Sequence, residues 1–324
     1  MFIDTVRNTL QEYDLIAQKD KILIAVSGGP DSVALTCALL ALQKEFDIKL
    51  HIAHLDHMLR KESAQDAAYV KWLAGSLSIP CTIERANVKK AAQKGSIEEI
   101  ARNLRLEFLF KVARQVKAAK IALGHNLNDQ AETVLMRIIR GTGLYGLSGI
   151  VPKRTINGHC IIRPLLGIKR RDIEKFLKGR KIYPRIDKTN ANYLYFRNKL
   201  RNRLIPILEK EYNPNIQVLL SNLAENAGYD YDYLTQTAFS IMKRMGKDIP
   251  LERFLKLHIS MQHLILRLKI AQVIGDTRRI NFTHIREIQD MIRNRPVNSI
   301  VDLPKGISAV KLKKNLRFFL KKQQ

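Results

Sequence analysis

Ser27-Gly28-Gly29-Pro30-Asp31-Ser32 is the stretch on which the reading of this chain turns. The residues before it, Lys21-Ile-Leu-Ile-Ala-Val26, are apolar and largely branched, which predicts a buried strand. Those after it, Val33 to Leu42, are apolar at nearly every position and predict a buried helix. The motif is therefore a strand, a tight turn and a helix. The paired glycines permit positive φ and a close approach of backbone to a ligand. A helix N-terminus with unpaired N–H groups favours an anion there. Asp31 and Ser32 fall at the cap and first-turn positions.

The string is not a Walker A loop, which would need Lys after the last Gly. It resembles the pyrophosphate-binding loop of the ATP pyrophosphatase superfamily, whose pattern is SGGxDS. That resemblance assigns Ser27, Gly28, Gly29, Pro30, Asp31 and Ser32 to ATP. It also makes Asp31 a ligand for Mg²⁺ or an orienter of phosphate.

With 324 residues, two domains are expected. Lys and Arg number 56 against 30 Asp and Glu, a net charge of +26. Such an excess points to a polyanionic partner, with nucleic acid ahead of a membrane surface. Cys37, Cys81 and Cys160 lie far apart and form no Cys-x-x-Cys, which argues against a zinc ribbon, a cluster or a disulfide framework. No leader sequence is read at the amino terminus, and no apolar run reaches the roughly 18 residues of a membrane span. A cytoplasmic protein without a membrane partner is expected.

Strands alternate with helices through the first half of the chain. Residues 1–20 read as an amphipathic helix, 49–54 as the second strand, 61–78 as a helix, 81–86 as the third strand and 120–124 as the fourth. Ser96-Ile-Glu-Glu99 fits a capping box for the helix that follows. This alternation predicts an α/β fold with a doubly wound parallel sheet. His54 and His57 at the end of the second strand could hint at a metal, but no third ligand accompanies them. Arg102 and Arg105 share a helix face, either a solvated basic surface or an RNA contact.

After the fourth strand comes Gly124-His125-Asn126-Leu127-Asn128-Asp129-Gln130-Ala131-Glu132. Asn128 is a plausible N-cap, and Asp129 and Glu132 lie three apart on one helix face. A His and two carboxylates facing a phosphate loop can hold Mg²⁺, activate a nucleophile or grip an ammonium group. The alternative is that the acidic residues merely offset the helix dipole. Arg137 and Arg140 then precede a glycine-rich loop, 141–146, suited to closing over a ligand.

Taken together, SGGPDS, LDHMLR, GHNLNDQAETVLMRIIRGTGLYGLSGI, the RPLL of residues 163–166, Asp187-Lys-Thr189-Asn190 and Arg197-Asn198-Lys-Leu-Arg201-Asn202-Arg203-Leu-Ile-Pro206 resemble the tRNA(Ile)-lysidine synthetase family over about residues 20–210. The resemblance implies an adenine-nucleotide alpha-hydrolase-like fold. It also implies ATP-driven adenylation of the wobble cytidine in a CAU-anticodon tRNA(Ile), then attack by the amine of free L-lysine. Asp31, His125, Asp129 and Arg201 would be catalytic. Asp129 or Glu132 would hold the lysine ammonium, which of them being open, and ATP with Mg²⁺ would be required. Arg60, Arg102, Arg105, Arg137, Arg140, Arg197 and Arg203 become candidates for tRNA contact. A sulfur-inserting tRNA enzyme is the nearest rival, and the isolated cysteines disfavour it. A non-catalytic tRNA-binding module is the rival from another class. It would lack the acidic groups that are present here.

Pro206 argues against an unbroken helix over 194–208. From about 213 the apolar spacing turns helical. The expected domains are therefore 1–212, the ATP-binding catalytic domain, and 213–324, a mostly helical tRNA-binding domain. Residues 307–310 and 316–320 are strand candidates in a basic C-terminal segment. Family members often continue into a further domain, so a short form is expected, and by analogy a homodimer.

Overall fold

The computed structural model describes residues 1–59, 63–91, 97–185, 196–275, 277 and 279–321. Two compact units divide between Gly228 and Tyr229. The division lies inside the helix Ile216–Met245, whereas the sequence placed a boundary where that helix begins.

In the first unit, strands β1 Lys21–Ala25, β2 Lys49–Asp56, β3 Cys81–Arg85, β4 Lys120–Ala122, β5 Lys153–Ile156 and β6 His159–Ile162 form one sheet in the order β3-β2-β1-β4-β6-β5. The pairings among β3, β2, β1, β4 and β6 are parallel, and β5 joins β6 antiparallel. The parallel doubly wound sheet is as expected, with an edge hairpin added. Its turn is Asn157-Gly158, both at positive φ, the pair a tight hairpin turn favours.

Both faces of the sheet are covered. Ile22 and Ile24 of β1 enter one core with the helices Phe2–Glu12, Pro30–Leu42, Ser63–Ser76 and Arg170–Gly179. Leu23 between them enters another, against the helix Ile97–Gln115. All three are fully buried, which is why β1 reads as a continuous apolar run rather than an alternating one. The helix Phe2–Glu12 is shorter than expected, because the chain turns at Tyr13 and Asp14, the latter at positive φ.

Residues 196–212 are helical, but not regularly so. The α-helical turns Phe196–Lys199 and Ile205–Ile207 alternate with π-helical turns at Leu200–Leu204 and Leu208–Tyr212. Pro206 lacks the N–H a regular helix would use, and wider π-turns flank it.

The second unit is built on helices Ile259–Ile274 and Phe282–Asn294 and an antiparallel sheet of four strands. The sheet runs β7 (Ile249–Pro250), β10 (Asn315–Leu320), β9 (Ile307–Lys311), β8 (Ile300–Asp302). Its core includes Phe254, Ile265, Ile288, Met291, Ala309 and Leu316. The basic C-terminal segment is therefore a core hairpin, with some of its cations engaged internally. Arg317 pairs with Asp248 at 2.8 Å, Lys321 with Asp302 at 2.7 Å, and Lys311 donates to the Arg295 carbonyl.

Candidate active site

The strand order reverses between β1 and β4, and ligands of open α/β sheets bind in the crevice beyond the carboxyl ends of strands at such a point. The two motifs picked out in the sequence leave those two strands there.

After β1 the loop turns through Gly28 at φ +88 and reaches Gly29, the N-cap of the helix Pro30–Leu42. Pro30 opens that helix, where its missing N–H costs nothing. Ser32 ties the loop to itself: its hydroxyl donates to the Gly29 carbonyl at 2.9 Å and accepts from the Ser27 N–H at 3.2 Å. His54, at the end of β2, holds the strand just before the loop, its Nδ1–H donating to the Val26 carbonyl at 2.7 Å. A carbonyl can only accept, so that contact fixes the proton on Nδ1.

Gly124 follows β4 and lies directly against the loop. A Cβ there would stand 3.0 Å from the Asp31 carbonyl carbon and 3.1 Å from the Ser32 nitrogen, both backbone atoms that cannot swing away. Gly124→Ala is thus expected to displace the first turn of the phosphate-binding helix and weaken ATP binding about tenfold or more, of the order that overpacking costs. Equilibrium dialysis against labelled ATP checks this.

The helix Leu127–Ile139 begins with a reciprocal cap. Asn126 Oδ1 accepts from the Asp129 N–H at 3.0 Å, and Asp129 Oδ2 accepts from the Asn126 N–H at 3.1 Å. The N-cap is Asn126 rather than Asn128, the residue the spacing suggested. Asn128 instead accepts the backbone N–H of Arg170 at 2.9 Å. The Asn126 amide also donates to Asp31 at 3.0 Å, joining phosphate loop and acidic cluster. The second oxygen of Asp31 accepts from Arg170 at 2.8 Å. Burial pushes the Asp31 carboxyl above the usual carboxylate range, against the pull of Arg170.

Asp129 and Glu132 do share one face, and that face meets two arginines from the irregular helix after residue 195. Arg197 bonds Glu132 at 2.7 Å and Asp129 at 3.0 Å. Arg201 bonds Asp129 at 3.2 Å and both oxygens of Glu132. Glu132 is fully buried, with each oxygen accepting from a guanidinium. Behind it, Ala131 and Val134 pack on Leu220 and Ala224, which seats this helix. His125 is half-buried, with its Nδ1 shielded from solvent. Burial holds its pKa down to about 3, so the imidazole is neutral near pH 7.

The other arginines divide. Arg102, Arg105, Arg140 and Arg203 are exposed, Arg140 lying 5.4 Å over the ring of Phe196. Arg137 turns inward and bonds the carbonyls of Gly146 and Gly149, each at 2.8 Å, which braces the glycine-rich loop. Arg60, Asp187, Thr189, Asn190 and Ser96 lie outside the described residues. Sequence reasoning did not single out Arg170 or Asn126, and it weighed His54 only as a metal ligand, not as the brace of the loop. Only Asn126 carried a signal, an Asn three residues before an Asp at a helix start.

A hard carboxylate oxygen at the mouth of a phosphate loop fits Mg²⁺, which takes one or two carboxylates and completes its shell with phosphate oxygens and water. Asp31 offers such an oxygen. Among the described residues no three His, Cys, Asp or Glu side chains cluster as a self-sufficient metal site.

Residues 3–208 match the family model described as a PP-loop domain. The chain is similar to a tRNA(Ile)-lysidine synthase of Clostridioides difficile, at 38% identity over 98% of this chain and 70% of that protein. Another tRNA(Ile)-lysidine synthase, from Caldanaerobacter subterraneus, is 36% identical over 97% of this chain and 68% of its own length. Among solved structures, a U34-tRNA thiolase from Methanococcus maripaludis superimposes with TM-score 0.58 at 19% identity, over 69% of this chain and 77% of that one, a likeness of fold.

Proposed function

Because the chain belongs to the tRNA(Ile)-lysidine synthase family of PP-loop proteins, we propose that it ligates free L-lysine to C2 of the wobble cytidine in CAU-anticodon tRNA(Ile) at the site just described. The observation that supports the placement best is the Asn126 side chain, which joins Asp31 to Asp129. One residue links the group that serves the phosphates to the group that serves the amine.

In the first half-reaction the loop from Ser27 to Ser32 binds the β- and γ-phosphates. The cytosine O2 bonds to the α-phosphorus as the bond to the bridging oxygen breaks, and pyrophosphate leaves with the electron pair. Asp31 would hold Mg²⁺, which would supply neutralisation of the phosphate charge. Gly124 leaves room for the loop to keep its shape. In the second half-reaction the lysine amine attacks C2 and AMP leaves.

The carboxylate of Asp129 faces the ammonium of the incoming lysine as a charge-assisted acceptor. Glu132, fully buried, holds Arg197 and Arg201 in place and contributes charge to the same pocket. His125, kept neutral by desolvation, lines the pocket beside Asp129 as an uncharged imidazole. Arg102, Arg105, Arg140 and Arg203 supply phosphate contacts and, with Phe196, a stacking surface. ATP and free lysine meet in the cytoplasm, where this reaction would run. Among the described residues no helix is long and apolar enough to cross a membrane. A homodimer, expected by analogy, is read by sedimentation velocity.

The test is transfer of labelled lysine to a tRNA(Ile) transcript, with tRNA(Met) in parallel. Label should enter tRNA(Ile) alone. In Asp129→Asn the KM for lysine should rise about 10–100-fold, the loss of one charge-assisted bond. Adenylation without lysine should stay within a few-fold of native. Adenylation and lysine KM that fall and rise together would remove Asp129 from the amine subsite.

A further inference from the structure

We propose that Arg170 is an exchangeable cation of the adenylation step. It neutralises Asp31 while the nucleotide site is empty and moves onto the triphosphate when Mg²⁺ takes that carboxylate. The inference rests on the reading of Asp31 as the metal ligand.

Arg170 opens the helix Arg170–Gly179, far in sequence from the phosphate loop. Its backbone is pinned by Asn128, a neighbour of Asp129, so the residue is anchored to the helix that carries the acidic cluster. Its side chain is not pinned in the same way. One guanidinium nitrogen bonds Asp31 at 2.8 Å, and Nε bonds Glu174 at 3.1 Å, a residue 60% exposed. Arg170 and Asp31 keep 32% and 23% of their side-chain surface exposed, so ion and nucleotide can reach the pair.

A metal ion and a guanidinium cannot share one carboxylate oxygen without strong like-charge repulsion. The Asp31 oxygen that Mg²⁺ can take is not the one facing Asn126, which already accepts an amide proton. It is the one Arg170 now occupies. Once displaced, the guanidinium stands at the phosphate loop with its planar fork open, a geometry suited to phosphate oxygens. Charge on the α-phosphate and on the departing pyrophosphate grows as the bond between them breaks. A cation delivered at that moment stabilises the transition state more than the ground state. The solvated pair with Glu174 is weak enough to let the side chain move.

The exchange predicts two changes of opposite sense. In Arg170→Ala, with no nucleotide present, Mn²⁺ read by electron paramagnetic resonance should bind several-fold more tightly, because its competitor is gone. Single-turnover adenylation of tRNA(Ile) at saturating ATP should slow about 10²-fold, the usual loss of one transition-state donor. Arg170→Lys should restore the native Mn²⁺ affinity and part of the rate. Arg171→Ala, removing a neighbour 76% exposed, should alter neither. Unchanged or weaker Mn²⁺ binding in Arg170→Ala overturns the exchange, and so does unchanged adenylation. Mn²⁺ binding that survives in Asp31→Asn removes the metal reading of Asp31, which separates that failure from a failure of Arg170. Thermal unfolding of each variant shows whether a loss of fold accounts for the change.

Discussion

Replacing Asp31 with asparagine is expected to slow adenylation of the tRNA about 10³-fold and leave the protein folded. Asparagine has the shape of aspartate and can keep the contact with Asn126 by an amide flip. It loses the charge that we propose holds Mg²⁺ and that pairs with Arg170. A thousandfold corresponds to about 4 kcal/mol of transition-state stabilisation, within reach of one preorganised charge in a partly dry site.

The stability change should run the other way. Burial has raised the Asp31 pKa, so the folded protein binds this proton more tightly than the unfolded chain does. Between the ordinary carboxylate value and the raised one, the folded state therefore holds more proton, and stability falls as pH rises through that window. The native site carries this cost at neutral pH because the charge is needed there. Asp31→Asn should lack it. The gap between the two melting temperatures should widen from pH 4 upward and then level off. Melting curves at several pH values, compared as a difference, cancel the other titrating groups. A variant less stable than native at pH 7 would mean that the Asp31–Arg170 pair is a net structural asset.

Glu132→Ala should have the larger effect on stability, about 2–4 kcal/mol. Removing one partner of a buried ion pair typically costs ~3–5 kcal/mol, because the remaining charge stays desolvated. Here two guanidinium groups are left with Asp129 as their one shared carboxylate. Each keeps about a third of its surface in water, which softens the loss. The variant should also lose lysine transfer, since both arginines would then draw on Asp129 alone and compete with the ammonium for it. Urea denaturation measures the first effect, and labelled lysine the second. Glu132→Gln should fall between, as an amide can accept from one arginine but not balance two. A loss of transfer with no loss of stability would place Glu132 on the substrate and not under the arginines.

The sheet was legible because its central strand is buried on both faces. Ile22, Leu23 and Ile24 all need covering, and no solvent-facing alternation obscures them. The loop at Ser27–Ser32 and the pair Asp129/Glu132 were legible because their chemistry sits within a few consecutive residues. What joins them was not. The spacing pointed to Asn128 as the cap, whereas the cap is Asn126, paired reciprocally with Asp129, and Asn128 turns to the backbone of Arg170. Arg170 is one of 56 basic residues, in a stretch that reads as an ordinary solvated helix start. Arg137 reads like an RNA contact, yet it bonds two loop carbonyls, because the glycine-rich turn brings them within reach. The edge hairpin could have been read from Asn157-Gly158, a strong turn signal. Sequence spacing reports neighbours along one element. It carries little about partners that arrive from another.

The central strand pair has a consequence for how the protein becomes competent. Leu23 sits beside Ile121, roughly a hundred residues later in the chain. Contacts across such a separation form late, because a long loop must first be closed. The proposed nucleotide and amine pockets hang from the two members of this pair, so a partly folded chain owns neither. ATP then acts as more than a reactant. By occupying a cleft that exists only when those strands have met, it draws the population toward the finished protein in proportion to its concentration over its dissociation constant. A cell rich in nucleotide would thus hold more of this protein in its folded form, without any added chaperone.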